Sequence, residues 1–583
     1  MTMLMYCKIG SENWLVIFGT LVALLVRCCT NLHPYSGEGT PPMYGDYEAQ
    51  RHWMEITFNL PIKDWYRNTT DNNLEYWGLD YPPLTAYHMY LCGIVAHFIN
   101  ENFTKLHESR GYESEEHKFF MRTTVIVGDV IVYFPALILY YYTCVKLELK
   151  NEDEKVKNVK KKAKSVLGLK ILDTSLSVIL GLLYPGLILI DHGHFQYNTI
   201  SLGFFIFAVI GILHKKHIFA SILFCLALNY KQMELYHSLP FFLYLLSTCV
   251  PKPGQTAISG IISLFKISLT VVLTFMIIWI PFIFNFDDLL QVLHRQFPLA
   301  RGVFEDKVSN IWCTLNIFYK FKNQFDNYQM MRICLFTTLS AILPSSVDLF
   351  LRPSRRKFVL ALINSSLAFF LCSFQVHEKS ILLVSVPVLL YFPYAPFTCF
   401  WFLFVSIFSM TPLLVKDNLI VATIALTLFY VTCFRISIEH AFKSMFNTNE
   451  GLVEYYRRLA TVLFNVEASK LMKFNTIFLL TYHKMVQNKH AWFALMLHVT
   501  IMFSMFGCII LFFISLLWEP PQRYPDFFPL IISVYSCVHF VGFFLYFNIK
   551  QICLPQEFED IKNVTVNNSC LSPLMVKESR KEK

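Results

Sequence analysis

The chain has 583 residues, of which 55% are hydrophobic and 16% aromatic but only 16% charged. Soluble domains carry about 25% charge, so the composition excludes a soluble globular protein. It reads as an all-α polytopic membrane protein. The formal net charge of +9 would suggest nucleic acid in a soluble chain; here Lys and Arg fall in connecting loops, where they set membrane orientation.

Apolar runs of about 15–25 residues give about 14 spans. They fall near 14–29, 119–145, 171–190, 198–213, 217–231, 234–249, 258–284, 331–350, 358–374, 380–393, 396–415, 419–435, 491–516 and 527–549. No small-residue cleavage site follows Val26-Arg27-Cys28-Cys29, so the first run is expected to remain as a span rather than act as a cleaved signal peptide. With the N-terminus cytosolic, Lys160-Lys161-Lys162, Lys215-Lys216 and Arg352 with Arg355-Arg356-Lys357 all fall on the cytosolic side. Counting 84–100 as a span would break that agreement, so it is expected to be a juxtamembrane or re-entrant helix on the lumenal side. The sequons at Asn68 and Asn102 fall in the same first loop. The Cys residues, such as Cys225, Cys334, Cys372 and Cys433, lie mostly inside apolar runs without metal-ligand spacing and read as core packing.

On this topology the polar stretches gather at one face, as the wall of a lumenal cavity. The first is Tyr44-Gly45-Asp46-Tyr47-Glu48-Ala49-Gln50-Arg51-His52-Trp53-Met54-Glu55. Gly45-Asp46 reads as a helix start, with Asp46 either an N-terminal cap or a free carboxylate suited to act as a base. Glu48, Arg51, His52 and Glu55 follow at one-turn spacing and can neutralise one another. Glu48, His52 and Glu55 share a face, but no second His or Cys cluster accompanies them, so no metal and no cofactor is expected. In the next stretch, Trp77 to Leu84, Pro82-Pro83 forbid helix before them. Trp77 and Tyr81 are candidates for stacking on sugar rings or for interfacial anchoring, and Asp80 for an acceptor contact. His192, His194 and Gln196 end a span, as a polar turn or as partners for sugar hydroxyls. Arg295, Arg301 and Lys307, with His377 and Lys379, are cations on the face where orientation does not demand them. Holding a phosphate would explain them. Neither a Gly-rich phosphate cradle nor an Asp-x-Asp nucleotide-sugar motif is present, which argues against a soluble nucleotide donor.

The stretch 44–57 closely resembles the first lumenal loop of the eukaryotic dolichyl-phosphate-glucose-dependent glucosyltransferases of the endoplasmic reticulum. So do Trp77–Leu84, His194–Asn198, Arg301–Val308 and Val376–Ser380. Glu48-Ala49-Gln50-Arg51-His52-Trp53 is similar to the branch that adds the first glucose, rather than the sibling that adds the second. The resemblance runs from about 14 to 435 and again over the last two spans. It implies a GT-C glycosyltransferase fold with a lumenal active-site cavity in a multi-pass endoplasmic-reticulum membrane protein. The reaction it implies passes glucose from dolichyl phosphate glucose to the terminal mannose of the dolichyl-diphosphate-linked nine-mannose oligosaccharide, forming an alpha-1,3 bond with inversion. Asp46 is then the base, and Glu48, Arg51, His52, Trp77, Asp80, Tyr81, His194, Gln196, Arg295, Arg301, His377 and Lys379 are expected around the substrates.

A catalytic module is expected over 1–350, with lumenal loops at 31–118 and 285–330, and a second membrane module over 351–583 with a cytosolic tail at 550–583. The stretch 436–490 departs from the resemblance and reads as a cytosolic insert. Arg580-Lys581 near the end resembles a retrieval signal of endoplasmic-reticulum membrane proteins, against the plainer reading of a basic tail. The rival class, a lipid or sugar transporter, would show internal repeats and charges along a mid-bilayer path; neither is evident.

Overall fold

The computed structural model describes residues 11–144, 173–251, 256–297, 307–446 and 489–555. These residues form helices joined by loops. In chain order the principal helices are α1 (Ser11–Thr30), α2 (Asp46–Asn59), α3 (Pro83–Ile99), α4 (Glu115–Cys144), α5 (Thr174–Phe195), α6 (Asn198–Leu213), α7 (His217–Tyr230) and α8 (Leu235–Cys249). They continue with α9 (Ala257–Ile283), α10 (Phe286–Gln296), α11 (Ile311–Phe318), α12 (Asn327–Leu351), α13 (Arg355–Cys372), α14 (Leu382–Tyr391), α15 (Pro396–Ser409), α16 (Ile420–Phe446), α17 (Lys489–Leu517) and α18 (Phe527–Cys553). Each expected apolar run coincides with a helix. Among the described residues 7 helices, α4, α5, α9, α12, α16, α17 and α18, are long and apolar enough by themselves to cross a membrane. The others are shorter, and Pro punctuates them, as at Pro240 in α8 and Pro387 in α14. The chain is a multi-pass membrane protein whose core includes many short helices buried inside the bundle, α13 and α14 among them.

One large apolar cluster runs through α5, α6, α13, α14 and α15. A second is built by α2, α3 and their loops, from Tyr47, Trp53, Trp65, Tyr66, Ala86 and Met89. α3, the 84–100 run, is a helix that begins at Pro83, where a missing N–H costs nothing. Ala86, Met89, Gly93 and Ala96 are buried, while Leu91, Ile94, Val95 and Phe98 stay exposed. A Cβ on Gly93 would stand 2.9 Å from the Met54 carbonyl oxygen, so glycine permits the close crossing. An apolar outer face on a helix packed beside the bundle suits a membrane-interface position.

α1 is tied inward by charge. Arg27 is 1% exposed and pairs with Asp129 of α4, while its Nη1 donates to the Leu182 carbonyl at 2.9 Å. His192 Nε2 meets the same Asp129 at 3.0 Å. His192 is therefore part of a buried helix junction, not of the cavity wall. Two expectations change at the far half. The helix α16 runs on through 436–446, so no boundary falls at 436; residues 447–488 lie outside the described ones. The Lys160 cluster and the Arg580-Lys581 pair also lie outside the described residues.

Arg27→Met leaves Asp129 buried without its guanidinium. A loss of about 3–5 kcal/mol is expected, read as a large drop in the melting temperature of the purified protein in detergent. Glu108→Gln, at an exposed pair with Lys105, should leave the melt unchanged.

Candidate functional site

Asp46 is the first residue of α2, but it does not cap it. The residue before it, Gly45, provides no side-chain cap, and the Asp46 carboxylate turns away from the helix into a cavity of about 1000 Å³. Three side chains from remote parts of the chain converge on one oxygen, Oδ2. Gln196 Nε2 donates to it at 2.5 Å, His194 Nε2 lies at 3.1 Å, and Lys379 Nζ donates as well. The carboxylate that has no partner within its own helix is thus heavily partnered in space. None of these bonds reaches Oδ1, and the side chain keeps 25% of its surface open to the cavity.

The partners are themselves held. His194 Nδ1 bonds Asp417 Oδ2 at 2.6 Å, so the imidazole bridges two carboxylates. Gln196 Oε1 accepts from Asn198 Nδ2 at 2.9 Å, which turns its amide N–H toward Asp46. Asn198 in turn donates to Asp191 Oδ1 at 2.6 Å, and Asp191 Oδ2 accepts the Thr199 N–H at 2.8 Å at the start of α6. Arg122 of α4 clamps the loop over this turn, bonding Pro34 O at 3.2 Å and Gly193 O at 2.9 Å. The backbone around the cavity is strained. Tyr44, Trp77, Phe195, Gln375 and Asn418 all have positive φ, Phe195 at 89° between His194 and Gln196. Side chains rarely adopt that region, and such residues persist where the surroundings over-determine them, often at functional sites.

Glu48, Arg51 and His52 stand elsewhere. They are 3%, 0% and 0% exposed and do not line the cavity. Arg51 forks onto Glu48 with two bonds of 2.7 Å, reaches Glu55 at 2.7 Å and donates to Ser109 Oγ at 2.6 Å. Tyr76 OH adds a bond to Glu48 at 2.8 Å, and the His107 N–H one to Glu55 at 2.8 Å. Burial raises the Glu55 carboxyl, but His52 and Arg51 outweigh it and hold it at about 2. This network fixes α2 to the loops around 76 and 107–109, so its acids are spent on Arg51 rather than left for a metal or a substrate.

Trp77, Asp80, Tyr81, Arg295, His377 and Lys379 do line the cavity, with His194 and Gln196. Arg295 spends part of its guanidinium on the Gly78 and Leu79 carbonyls, at 2.7 and 3.2 Å, and so holds the Trp77–Tyr81 loop. Lys307 pairs with Asp526 and stands outside the cavity lining. Arg301 lies outside the described residues. The sequon side chains Asn68 and Asn102 are exposed.

Sequence reasoning missed Lys231, Gln232 and Asp417, all in the cavity wall. Lys231 donates to Asn198 Oδ1 and lies 5.2 Å over the Tyr81 ring. Each sits where an apolar run ends on the expected lumenal side, which was the available signal. The cavity also takes Lys379 and Asp417 from beyond residue 350, so a boundary there does not separate off the site.

Burial alone would push the Asp46 carboxyl up. The Lys379 ammonium and the His194 ring outweigh it and hold it well below the usual carboxylate range. Burial and the neighbouring Lys379 bring the Lys231 ammonium down to about 8, against the pull of Asp191 and Asp46. An ionised carboxylate with one open oxygen, beside cations and stacking aromatics, can accept a proton from a bound hydroxyl while an anionic group is held nearby.

Residues 19–546 match the family model of the ALG6, ALG8 glycosyltransferase family. The chain is similar to the Gallus gallus protein named dolichyl pyrophosphate Man9GlcNAc2 alpha-1,3-glucosyltransferase, at 46% identity over 92% of this chain and 97% of that one. The Rattus norvegicus protein of the same name is 44% identical over 92% and 96% of the two chains. A Drosophila melanogaster protein named as the probable enzyme is 43% identical over 92% and 98%.

The site electrostatics set a pH profile. The Asp46 value is lowered, so the ionised carboxylate persists as pH falls through the ordinary carboxylate range and is lost only below it. Lys379→Met removes the main opposing charge, and the acid limb of turnover should move to higher pH, while Lys379→Arg keeps it low. Lys231 is charged below about 8 and loses its proton as pH rises through that value; the alkaline limb expected there should vanish in Lys231→Arg. An acid limb that stays in place in Lys379→Met would contradict this account of Asp46.

Proposed function

The chain belongs to the ALG6, ALG8 glycosyltransferase family, and from that premise we propose that it transfers glucose from dolichyl phosphate glucose to the terminal mannose of the nine-mannose dolichyl-diphosphate-linked oligosaccharide. The product is the first alpha-1,3-glucosyl bond of N-glycan precursor assembly. The observation that carries the mechanism is Asp46: one carboxylate oxygen gripped by His194, Gln196 and Lys379, the other open to the cavity. A mannose hydroxyl bonded to Oδ1 gives up its proton to the carboxylate as its oxygen attacks the anomeric carbon of glucose. The bond to the phosphate oxygen breaks on the opposite face, and the electron pair leaves with dolichyl phosphate. A beta-linked donor gives an alpha product. The leaving group is already an anion, so no acid need protonate it, and a single base suffices.

The cations have separable roles. Lys379 and His194 keep Asp46 ionised and fix its orientation. His377 and Lys231 stand on the same cavity wall and are placed to neutralise the donor phosphate as its charge grows. Trp77 and Tyr81 offer flat faces for sugar rings, and the long wall from Tyr35 to Asn418 gives room for an oligosaccharide arm. The enzyme is proposed to lie in the endoplasmic-reticulum membrane with this cavity facing the lumen. The exposed sequons at Asn68 and Asn102 on the cavity side and the basic Lys215-Lys216 turn at the other end support that orientation.

Purified protein incubated with dolichyl phosphate glucose should glucosylate the nine-mannose acceptor; exclusive use of the singly glucosylated acceptor would assign it to the sibling reaction. Asp46→Asn keeps shape and loses basicity. It should fold, bind both substrates and lose transfer by about two to four orders of magnitude. Glu48→Gln, whose effect falls on the Arg51 network, should retain more activity per folded molecule. Near-normal turnover by Asp46→Asn would mean that another residue is the base. In sealed microsomes, protease should spare a tag placed within 31–118; its cleavage would reverse the orientation.

A further inference from the structure

Asp417 is a buried acid of the cavity wall to which the proposed reaction gives no task. The short helix Thr411–Lys416 stops there because Asn418 takes a left-handed backbone, φ 58°, which Asn tolerates better than most residues. The Leu419 N–H then returns to the Leu414 carbonyl at 2.9 Å, and the Asn418 N–H to that of Val415 at 3.1 Å. This stop sets Leu419 against Gly193, where an added Cβ would stand 2.8 Å from Leu419 Cδ1. Glycine at 193 lets the two turns touch, and the residue after it is His194. Asp417 Oδ2 thereby lies 2.6 Å from His194 Nδ1, with both side chains 3% exposed.

Among the described residues His194 is the one side chain that bonds the Asp417 carboxylate. A buried carboxylate is costly without a donating partner, and the ring supplies it. The other ring nitrogen, Nε2, lies 3.1 Å from Asp46 Oδ2. A neutral imidazole has a hydrogen on one nitrogen only, and an ionised carboxylate only accepts. With a carboxylate oxygen at each nitrogen, both nitrogens donate and the ring is a cation. Lys379 Nζ stands 3.2 Å from Nε2 and bonds the same Asp46 oxygen. Two cations thus crowd one oxygen, and Asp46 balances one of them. Asp417 balances the other. Arg122, bonded to the Gly193 carbonyl, adds a further positive charge beside this turn.

We propose that Asp417 is a positioning residue for glucose transfer, acting on Asp46 through His194; this rests on the reading of Asp46 as the base. Its carboxylate holds the ring doubly protonated and turned so that the Nε2 hydrogen meets Asp46 Oδ2. Oδ1 is then left for the acceptor hydroxyl. With an amide in place of Asp417, one ring nitrogen gives up its hydrogen, and Nε2 becomes an acceptor for the Lys379 ammonium. Asp46 loses one of its three bonds and the orientation that the bond fixes.

The test uses the full-length protein in detergent with dolichyl phosphate glucose and the nine-mannose acceptor. Asp417→Asn keeps shape and removes charge. It should lower kcat by about a hundredfold and leave KM for both substrates unchanged. His194→Gln should also lower kcat, and Asp417→Asn added to it should cost nothing more, because the two act as one unit. Independent, multiplying losses, or a raised KM with kcat kept, would mean that Asp417 touches a substrate and would overturn the proposal. The ring itself reports without turnover. In protein labelled with nitrogen-15 histidine, the His194 signals, identified by their loss in His194→Gln, should show a hydrogen on both nitrogens in the wild type. They should show one in Asp417→Asn. A singly protonated ring in the wild type would overturn the proposal even if that variant fails to fold. A wild type that transfers no glucose would instead strike the functional reading, with the nitrogen signals still deciding what Asp417 does to the ring.

Discussion

A carboxylate anion set into the wall of a membrane protein must be neutralised by groups that the fold brings to it. Here they come from far away: His194, Gln196 and Lys379 lie 148, 150 and 333 residues from Asp46 in sequence. Much of the architecture can be understood as the means of that convergence. α5 ends in the His194–Gln196 turn, Arg122 of α4 pins that turn to the loop before α2, and the segment before α14 delivers Lys379. The positive φ of Phe195 orients His194 and Gln196 to the same oxygen, a backbone cost tolerated because the packing on either side fixes it. The result is an asymmetric carboxylate, with Oδ2 taking all three bonds and Oδ1 outside them.

The second charged network has the opposite character. Arg51, Glu48, Glu55 and Ser109 satisfy one another completely enough that nothing in it faces the cavity. A buried ion cluster of this kind is weak evidence for net stability, because desolvation offsets most of the attraction. Its geometric effect is plainer. A planar guanidinium bonded on several edges allows α2 one rotation and one depth, and that rotation aims Asp46. The two networks sit at adjacent turns of one helix, so the rigid one sets the geometry of the reactive one.

This division also explains what the sequence disclosed. The spacing of Glu48, Arg51 and Glu55 announced a mutual neutralisation that needs only helical periodicity, and the structure has it. The apolar runs foretold the helices they coincide with for the same reason, since hydrophobic patterning is local, whereas α10 and α11 matched no such run. The convergence on Asp46 was not legible in the same way. Periodicity predicts nothing about contacts hundreds of residues apart, and from sequence the residue looked either capped or free when it is neither. Asp417 and Lys231 escaped notice because a single charge at the end of an apolar run reads as an ordinary interfacial residue. His192 and His194 stand two apart and looked alike; burial sends one to the Arg27–Asp129 junction and the other to the cavity.

The distribution of lysines is the remaining constraint. Lys231 ends α7 in the catalytic cavity, and Lys215 and Lys216 precede the start of the same helix at the other end, so a helix of 14 residues separates two cationic sites. At the Lys215-Lys216 end, basic residues beside an apolar helix set membrane orientation. At the cavity end Lys231 stands against the anions Asp191 and Asp46.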